Sequence, residues 1–312
     1  MKIALIGCKG TLGSVILKNW NKKIENSTMT GHFNQQPPDE IIPFDLPEFD
    51  VSSRRFVLDA LTSLKPDVII NASGIHLIDW LEMHPNTART INIYGAANLR
   101  EAAKRINALL VQISCGEVFY SDKIKPNELL TPKKETDNAQ PESVFAKSKL
   151  DSERAASEWE RHLIVRTSSL FGPSGNLSGG NLVDTLLRAF LRTQQIQVIN
   201  DHYCSPTYSV DLVRGLRSLV LNQKTGRFHL CNQGMATPFE IAQVLVDLCG
   251  LKRHNIVPIS MKDYGYSAAH SCLTALDCSK YHQLENVYQM PDWKFSLRQY
   301  IESRNSFSST GQ

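Results

Sequence analysis

The 312-residue sequence lacks any apolar run long enough to cross a membrane. A spanning helix needs roughly 18 or more apolar residues in succession. The first apolar run, after Lys2, covers only four residues before it meets glycines. It is too short for a signal peptide and is typical of a strand that enters a turn. We therefore expect no membrane segment.

The sequence also lacks a cysteine framework and a marked excess of charge. Its seven cysteines form no Cys-x-x-Cys pair and are odd in number. We therefore expect reduced thiols in a cytoplasmic protein, with neither disulfides nor a zinc or other metal site. The 34 basic and 31 acidic residues leave a net charge of +3, which is too small to indicate a nucleic-acid partner. With 42% hydrophobic residues, the chain can bury a full core.

Short apolar segments alternate with longer amphipathic ones through the first 170 residues. The apolar segments are rich in Ile and Val, are apolar on both faces and are typical of buried parallel strands; they cover 2–7, 67–73, 109–114 and 162–168. The segments between them, predicted as helices, include 11–19, 53–64, 85–105 and 144–160. The alternation predicts an α/β fold with a Rossmann-like, doubly wound parallel sheet over 1–170. A smaller α/β part follows at 171–305, interleaved with the first, and 306–312 form a frayed tail.

Two regions depart from this alternation. Residues 26–49 are rich in prolines and polar residues, and we expect a weak second strand at 28–33 followed by a long loop. Beyond residue 172 come a glycine-rich loop at 172–181 and a helical pattern at 181–193.

In the last third of the chain, Thr237 and Glu240 have the spacing of a capping box and predict the start of a well-defined helix.

The first strand runs directly into a glycine-rich loop and a helix. A pyrophosphate must approach main-chain N–H groups at a helix N-terminus, and side chains on the glycines would block it. A tight strand-to-helix turn would explain the glycines equally, but this loop lies in the first strand–turn–helix of an alternating chain, where a dinucleotide loop belongs. We therefore predict contacts to a dinucleotide from Gly7, Gly10, Thr11, Leu12 and Gly13.

The GxxGxxG spacing resembles the extended short-chain dehydrogenase/reductase superfamily, and further motifs resemble its dTDP-4-dehydrorhamnose reductase type. These motifs are KPDVIINAS (65–73), NIYGAANLREAA (92–103), SxxxVF (114–119), RTSSLFG (166–172), INDHYCSPTYSVDL (199–212) and MPDW (290–293). The resemblance covers residue 2 to about 300. It implies that the N-terminal part binds NADP or NAD. It also implies that the C-terminal part holds a nucleotide sugar whose 4-keto group is reduced.

The resemblance also implies individual contacts. Those to the cofactor come from Asp50, Asn71, Ala72, Ser73 and Ser114, and those to the substrate from Arg166, Asp201, Pro206 and Thr207. Asp50 would face the adenine, although a helix cap in an exposed loop explains it almost as well. No acid follows the expected strand at 28–33, which favours NADPH slightly over NADH.

The catalytic motif is only half present. In the superfamily a tyrosine gives the proton, a lysine lowers the pKa of that tyrosine and holds the nicotinamide ribose, a serine or threonine polarises the carbonyl, and an asparagine supports the lysine. Lys149 and Asn92 match, whereas Phe145 replaces the tyrosine and Cys115 the serine or threonine. A phenyl ring has no proton to give, and losing a general acid costs about 10²–10⁴ in rate.

Glu117 is the candidate for a replacement acid. It stands where related nucleotide-sugar dehydratases carry a catalytic glutamate, and burial beside a nicotinamide would raise its pKa. A surface acid would explain Glu117 as well, and a small buried hydrophobe would explain Cys115. The sugar end also departs from the family, because His270 and Ser271 stand where an Arg-Pro pair is usual.

Three hypotheses follow from these residues. The first is an NAD(P)H-dependent reductase of a nucleotide-linked 4-keto-6-deoxy sugar with an altered acid site. The second is a dinucleotide-binding regulatory or scaffold subunit that has lost turnover. The third is a dehydratase or epimerase that uses Glu117. The sequence leaves open whether the protein forms a homodimer or binds a partner enzyme.

Overall fold

The computed structural model describes residues 1–22, 37–123, 129–173, 181–193, 195–251 and 255–308. The described residues of the N-terminal half form five strands and six α-helices. They are β1 (Lys2–Ile6), α1 (Thr11–Asn19), β2 (Glu40–Phe44), α2 (Arg54–Leu64), β3 (Val68–Asn71), α3 (Ile78–Met83), α4 (Pro85–Ala88), α5 (Gly95–Ile106), β4 (Leu109–Cys115), α6 (Val144–Ser157) and β5 (His162–Thr167). A π-helical segment, Arg89–Tyr94, joins α4 to α5.

The C-terminal half is built from shorter strands and further helices. They are β6 (Leu170–Phe171), α7 (Leu182–Arg192), β7 (Gln195–Ile199), β8 (Thr207–Tyr208), α8 (Ser209–Leu221), β9 (Gly226–His229), α9 (Pro238–Leu248), β10 (Asn255–Ile259), α10 (Met261–Tyr264), α11 (Ser279–His282) and α12 (Trp293–Ser308). The predicted capping box starts α9, since the Thr237 hydroxyl accepts from the Glu240 N–H at 3.1 Å. None of the described helices is long and apolar enough to span a bilayer.

Six parallel strands form the main sheet, in the order β2-β1-β3-β4-β5-β9. Apolar residues cover both faces because helices pack on each side, and β3 is buried along its whole length. The predicted α/β fold with a doubly wound parallel sheet is therefore confirmed. Strand β9 comes from the C-terminal half and pairs with β5, so the two halves share one sheet.

The second strand lies later in the chain than the sequence indicated. The strand that pairs with β1 is Glu40–Phe44, with Ile6 opposite Phe44, while the expected strand at 28–33 lies outside the described residues. Pro43 lies within β2, which is tolerated because β2 is an edge strand that needs no second ladder of hydrogen bonds. An acid, Asp45, follows the observed second strand. The absence of an acid after 28–33, on which the NADPH expectation rested, concerns residues outside the described part of the chain.

The direction of winding reverses between β1 and β3. From β1 the chain crosses to β2 on one side, and then passes back over β1 to β3 on the other side. In open α/β sheets ligands bind beyond the carboxyl ends of the strands at such a reversal. The glycine loop follows β1 at this point, so the strand order predicts a ligand site at the same edge of the sheet as the glycine loop.

Candidate active site

Backbone contacts in the glycine loop leave no room for a side chain at Gly7 or Gly13. The N–H groups of Gly7 and Cys8 donate to the Phe44 carbonyl at 2.9 and 3.3 Å. Gly7 has a φ of +82°, and a Cβ there would lie 2.7 Å from the Ser73 nitrogen. A Cβ on Gly13 would lie only 2.0 Å from the Gly7 carbonyl oxygen. Both glycines are therefore required by the close approach of β1, α1 and the end of β3.

Helix α1 begins directly after this loop. Gly10 occupies the N-cap, and no side chain caps the first turn. Uncapped N–H groups at the positive end of a helix form a site for a phosphate or another anion. Gly10, Thr11 and Leu12 face a cavity of about 400 Å³. The first turn of α1 is therefore open toward this cavity.

The cavity lies beyond the carboxyl ends of β1, β3, β4 and β5. Its lining combines the glycine loop, the segments that follow the strands, helix α6 and part of the C-terminal half. The predicted residues that line it are Gly10, Thr11, Leu12, Ala72, Ser73, Ser114, Cys115, Glu117, Phe145 and Lys149. The structure thus brings most of the predicted cofactor and catalytic residues to one place.

Lys149 is buried on the cavity wall. Its ammonium donates to the Ile113 carbonyl at 2.7 Å, and the residue is only 9% exposed. No salt bridge reaches it from the described residues. Burial lowers the pKa of the Lys149 ammonium, whereas the negative charges of an ionised Cys115 thiol and of Glu153 raise it. The ammonium is therefore held at the end of β4 and is not a solvated helix lysine.

Asn92 supports the same helix without lining the cavity. Its amide donates to the Ser148 hydroxyl at 2.8 Å and to the Ile75 carbonyl at 3.3 Å, and its oxygen accepts from the Ile75 N–H at 3.1 Å. The π-helical segment before α5 carries Asn92 to this position. Asn92 therefore connects the end of β3 to α6 next to Lys149.

Phe145 and Cys115 form an apolar part of the cavity wall. Phe145 is 6% exposed and packs with Leu81 and Ala88, and Cys115 packs against the same cluster. Burial raises the pKa of the Cys115 thiol to about 12, so the sulfur stays protonated at neutral pH. A buried thiol is a weak hydrogen-bond donor and a small hydrophobe. Neither residue supplies a ready proton.

Glu117 is the acid of this cavity. It lies in the short 3₁₀ segment Gly116–Val118 that follows β4. Burial raises the pKa of its carboxyl to about 7, and the Ser271 N–H acts in the opposite direction. At neutral pH a carboxyl with this pKa exists in both protonated and ionised forms, which is the property that a general acid or base requires.

The residues that line the cavity without having been singled out from the sequence as site residues include His76, His202 and Thr274. His202 Nδ1 lies 2.8 Å from the Ser271 carbonyl, which can only accept, so Nδ1 carries the proton. Nε2 then accepts from the Thr274 hydroxyl at 3.3 Å. Burial lowers the pKa of His202 and keeps the ring neutral. The position of His202 inside the INDHYCSPT motif was the available signal.

Several predicted residues lie outside this cavity. Asn71 is buried and donates to Gln112 at 2.8 Å, while its oxygen accepts from the Ser73 hydroxyl at 2.6 Å. Arg166 is also buried, and its Nε and Nη2 donate to the two oxygens of Glu153 at 2.8 and 2.7 Å. This arginine therefore joins β5 to α6 and is not placed among the cavity residues.

The remaining predicted substrate residues are also used within the protein. Asp201 accepts from the Met261 N–H at 2.8 Å, and the Thr207 hydroxyl donates to the Ser205 carbonyl at 2.9 Å. Pro206 and Thr207 are buried. The structure does not bring these three residues to the cavity. Instead, His202 from the same motif reaches it.

Asp50 lies in a second cavity, of about 310 Å³, together with Leu46, Asn86, Thr87 and Thr90. Its carboxylate accepts from the N–H and the hydroxyl of Ser52 at 2.9 and 2.7 Å. The N-cap of α2 is Ser53, so Asp50 does not cap that helix directly.

Within the described residues, no group of three or more His, Cys, Asp and Glu side chains could hold a metal ion.

Comparison with known proteins agrees with this arrangement. The model of the RmlD substrate binding domain family matches residues 1–306. A dTDP-4-dehydrorhamnose reductase of Aggregatibacter actinomycetemcomitans is 30% identical over 271 residues, which cover 83% of this chain and 88% of that protein.

Two solved structures of dTDP-4-dehydrorhamnose reductases superpose closely. The enzyme of Clostridium acetobutylicum has a TM-score of 0.84 at 28% identity, covering 98% of this chain and all of that one. The enzyme of Bacillus anthracis, solved in complex with NADP, has a TM-score of 0.83 at 26% identity, covering 97% of this chain and 99% of that one. The resemblance inferred from the motifs is therefore confirmed, and this chain belongs to the RmlD substrate binding domain family.

Proposed function

We propose that the protein is an NAD(P)H-dependent reductase of a nucleotide-linked 4-keto-6-deoxy sugar, in which Glu117 gives the proton. One observation carries the proposal: Glu117, Lys149 and the glycine loop line the same cavity. The family relationship supports the reaction type, since the relatives compared above are named dTDP-4-dehydrorhamnose reductases.

The residues around the glycine loop fit a dinucleotide. The uncapped first turn of α1, with Gly10 at its N-cap, would bind the pyrophosphate. Lys149 would donate to the nicotinamide ribose. The cavity beside Asp50 would take the adenine, because it lies next to the glycine loop. Leu46 lines this cavity, and the Leu46 carbonyl accepts from the ammonium of Lys9, a residue of the glycine loop, at 2.6 Å. A reduced nicotinamide supplies the hydride when it is bound.

The chain's own residues would manage the proton. Reduction of a carbonyl adds a hydride to carbon and a proton to oxygen, and the protonated Glu117 carboxyl would give that proton and later regain one from solvent. The Cys115 thiol, protonated because its pKa is about 12, would donate a weak hydrogen bond to the carbonyl oxygen. Nδ1–H of His202 donates a hydrogen bond to the Ser271 carbonyl and Nε2 accepts one from the Thr274 hydroxyl, so in this tautomer His202 is not the proton donor of the reaction.

The direct test mixes the purified protein with NADPH or NADH and a dTDP-4-keto-6-deoxy sugar. We expect stoichiometric loss of the reduced cofactor absorbance and formation of the 4-hydroxy sugar. Glu117→Gln should lower turnover by about 10²-fold or more while cofactor affinity is kept. A dehydratase or epimerase returns the hydride within each cycle and would show no net loss of the reduced cofactor.

A second candidate function is a dinucleotide-binding regulatory subunit for a partner enzyme. The observation that favours it is Phe145, which fills the position of the family's acid with a buried ring. The Phe145→Tyr variant separates the two candidates. An inactive wild-type protein that gains turnover through Phe145→Tyr would favour the regulatory subunit, whereas wild-type turnover that depends on Glu117 supports the reductase.

A further inference from the structure

We propose that Ser271 is a positioning residue for Glu117, whose carboxyl its main-chain N–H holds in the cavity. The inference rests on the proposed function, in which Glu117 gives the proton. It concerns a residue that the sequence singled out and that the proposed reaction does not use, since Ser271 stands where proline is usual in the family. Proline has no N–H group and could not make this contact.

The segment 271–274 passes directly beside the 3₁₀ segment that carries Glu117. A Cβ on Gly116 would lie only 2.4 Å from the Thr274 carbonyl oxygen, so the two segments touch through their main chains. At the start of the same segment, the Ser271 N–H donates to the Glu117 carboxylate. The contact therefore joins the residues after β4 to the C-terminal half at the cavity wall.

Ser271 itself is fixed by hydrogen bonds on both sides. Its carbonyl accepts from Nδ1–H of His202 at 2.8 Å. Its hydroxyl donates to the Leu273 carbonyl at 3.0 Å and accepts from the N–H groups of Ser121 and Leu273 at 3.1 and 3.2 Å. Ser271 is only 1% exposed. The N–H that faces Glu117 therefore belongs to a buried residue whose carbonyl and hydroxyl both have partners.

A donor at this place acts on the balance between the two forms of the carboxyl. Burial favours the protonated form and raises the pKa of Glu117 to about 7, whereas an N–H that donates to the carboxylate favours the ionised form. When Glu117 gives its proton to the substrate, the same N–H stabilises the carboxylate that remains. Ser271 thus keeps the pKa of this acid near neutral pH, where a general acid is most effective.

Most titratable groups that face Glu117 from neighbouring elements are uncharged at neutral pH. Burial raises the pKa of three of them to about 12; these are Cys115, Cys204 and Tyr266. Burial lowers the pKa of three histidines; these are His76, His202 and His270. The charged groups, Lys149 and Asp79, have partners of their own in Ile113 and His270. Glu117 is therefore the acid of this set that ionises near pH 7.

The first test follows the Ser271 amide by nuclear magnetic resonance in full-length protein that carries isotope-labelled serine. The signal that is missing from Ser271→Ala identifies it. We expect the amide proton to move downfield as Glu117 ionises, with a midpoint near pH 7, because a hydrogen bond to a charged acceptor is stronger. Glu117→Gln should abolish this pH dependence. Glu142→Gln, at an exposed acid, should leave it unchanged.

The second test compares Ser271→Pro with Ser271→Ala, because both remove the hydroxyl and only proline removes the N–H. Relative to Ser271→Ala, we expect Ser271→Pro to raise the pKa of Glu117 by about one pH unit. The carboxyl carbon resonance of isotope-labelled Glu117 reports this pKa. In the active enzyme, the falling limb of the pH–rate profile should move upward by the same amount, while cofactor affinity stays the same in both variants.

Both resonances are measured without cofactor or substrate, which separates this inference from the proposed function. An amide proton that does not respond to ionisation of Glu117 would overturn the inference. Equal pKa values of Glu117 in folded Ser271→Pro and Ser271→Ala would overturn it as well. If proline prevents folding, as thermal unfolding would reveal, the amide titration alone decides. A wild type that binds cofactor without turnover would contradict the proposed function and not the contact between Ser271 and Glu117.

Discussion

The ammonium of Lys149 donates to the main-chain carbonyl of Ile113 at 2.7 Å, across the gap between α6 and the end of β4. The lysine is thereby held on the cavity wall, next to the strand that delivers Cys115 and Glu117. The lysine of the family's motif thus lies on the cavity wall, while Phe145 stands at the position of the motif's tyrosine.

Replacing Lys149 should weaken dinucleotide binding. Because the side chain would donate to the nicotinamide ribose, we expect Lys149→Ala to lower the affinity for the reduced cofactor at least about tenfold in calorimetry. Lys147→Ala is the matched control, since Lys147 is exposed on the same helix and pairs with Glu142. Equal affinities in wild type and Lys149→Ala would remove Lys149 from the cofactor site.

The glycine loop should tolerate a methyl group at one glycine and not at another. A Cβ on Gly13 would lie 2.0 Å from the Gly7 oxygen, whereas one on Gly10 would lie 3.2 Å from it. We expect Gly13→Ala to cost about 1–3 kcal/mol of unfolding free energy. Gly10→Ala should cost less than about 1 kcal/mol and yet weaken dinucleotide binding.

Urea unfolding and cofactor titration measure the two effects separately. If Gly13→Ala is as stable as wild type, the close approach of α1 to Gly7 is incorrect. If Gly10→Ala binds dinucleotide normally, the first turn of α1 is not the pyrophosphate site.

The raised pKa of Glu117 should appear as a pH-dependent stability. The unfolded chain ionises this carboxyl near pH 4.5 and the folded protein near pH 7, so the folded state loses stability between these values as pH rises. Relative to Glu117→Gln, wild type should lose up to about 3 kcal/mol over this interval and change little above it.

Urea unfolding from pH 5 to 8 measures this difference. Glu142→Gln is a suitable control because Glu142 is 56% exposed. A constant difference between wild type and Glu117→Gln across this range would show that the Glu117 carboxyl is not buried.

Glu153 should be required for folding stability and not for binding. Glu153 accepts from Nε and Nη2 of the buried Arg166, so Glu153→Ala leaves a buried cation without its carboxylate partner. We expect a loss of about 3–5 kcal/mol, against a small effect of Asp151→Ala, which is 44% exposed on the same helix. A stable Glu153→Ala protein with weakened substrate binding would instead indicate that Arg166 contacts the substrate.

Much of the fold could be predicted because its buried parallel strands are short and apolar on both faces. β1, β3, β4 and β5 were located this way, within a few residues of their observed bounds. β2 was not, because it is a half-exposed edge strand that contains Pro43, and prolines beside it resemble a loop. The acid that follows it, Asp45, was missed for the same reason.

The site was predictable where residues follow a strand directly, and less so where loops decide the direction of a side chain. Cys115 and Glu117 follow β4 and reach the cavity. In the INDHYCSPT segment, the Asp201 carboxylate accepts from the Met261 N–H, whereas His202 points into the cavity. No periodic pattern in the sequence distinguishes these two neighbours. Arg166 lies on the buried strand β5, where its partner on α6 is 13 residues away in sequence.

Oxidation of the reduced cofactor with a dTDP-4-keto-6-deoxy sugar, measured for wild type and for Glu117→Gln, decides whether Glu117 supplies the proton. We expect wild type to oxidise NADH or NADPH and to form the reduced sugar, with a rate that falls as pH rises through about 7 because Glu117 loses its proton. We also expect Glu117→Gln to bind cofactor normally and to turn over at least about a hundredfold more slowly. Equal turnover of the two proteins, or no turnover by folded wild type that binds cofactor, would contradict this role of Glu117.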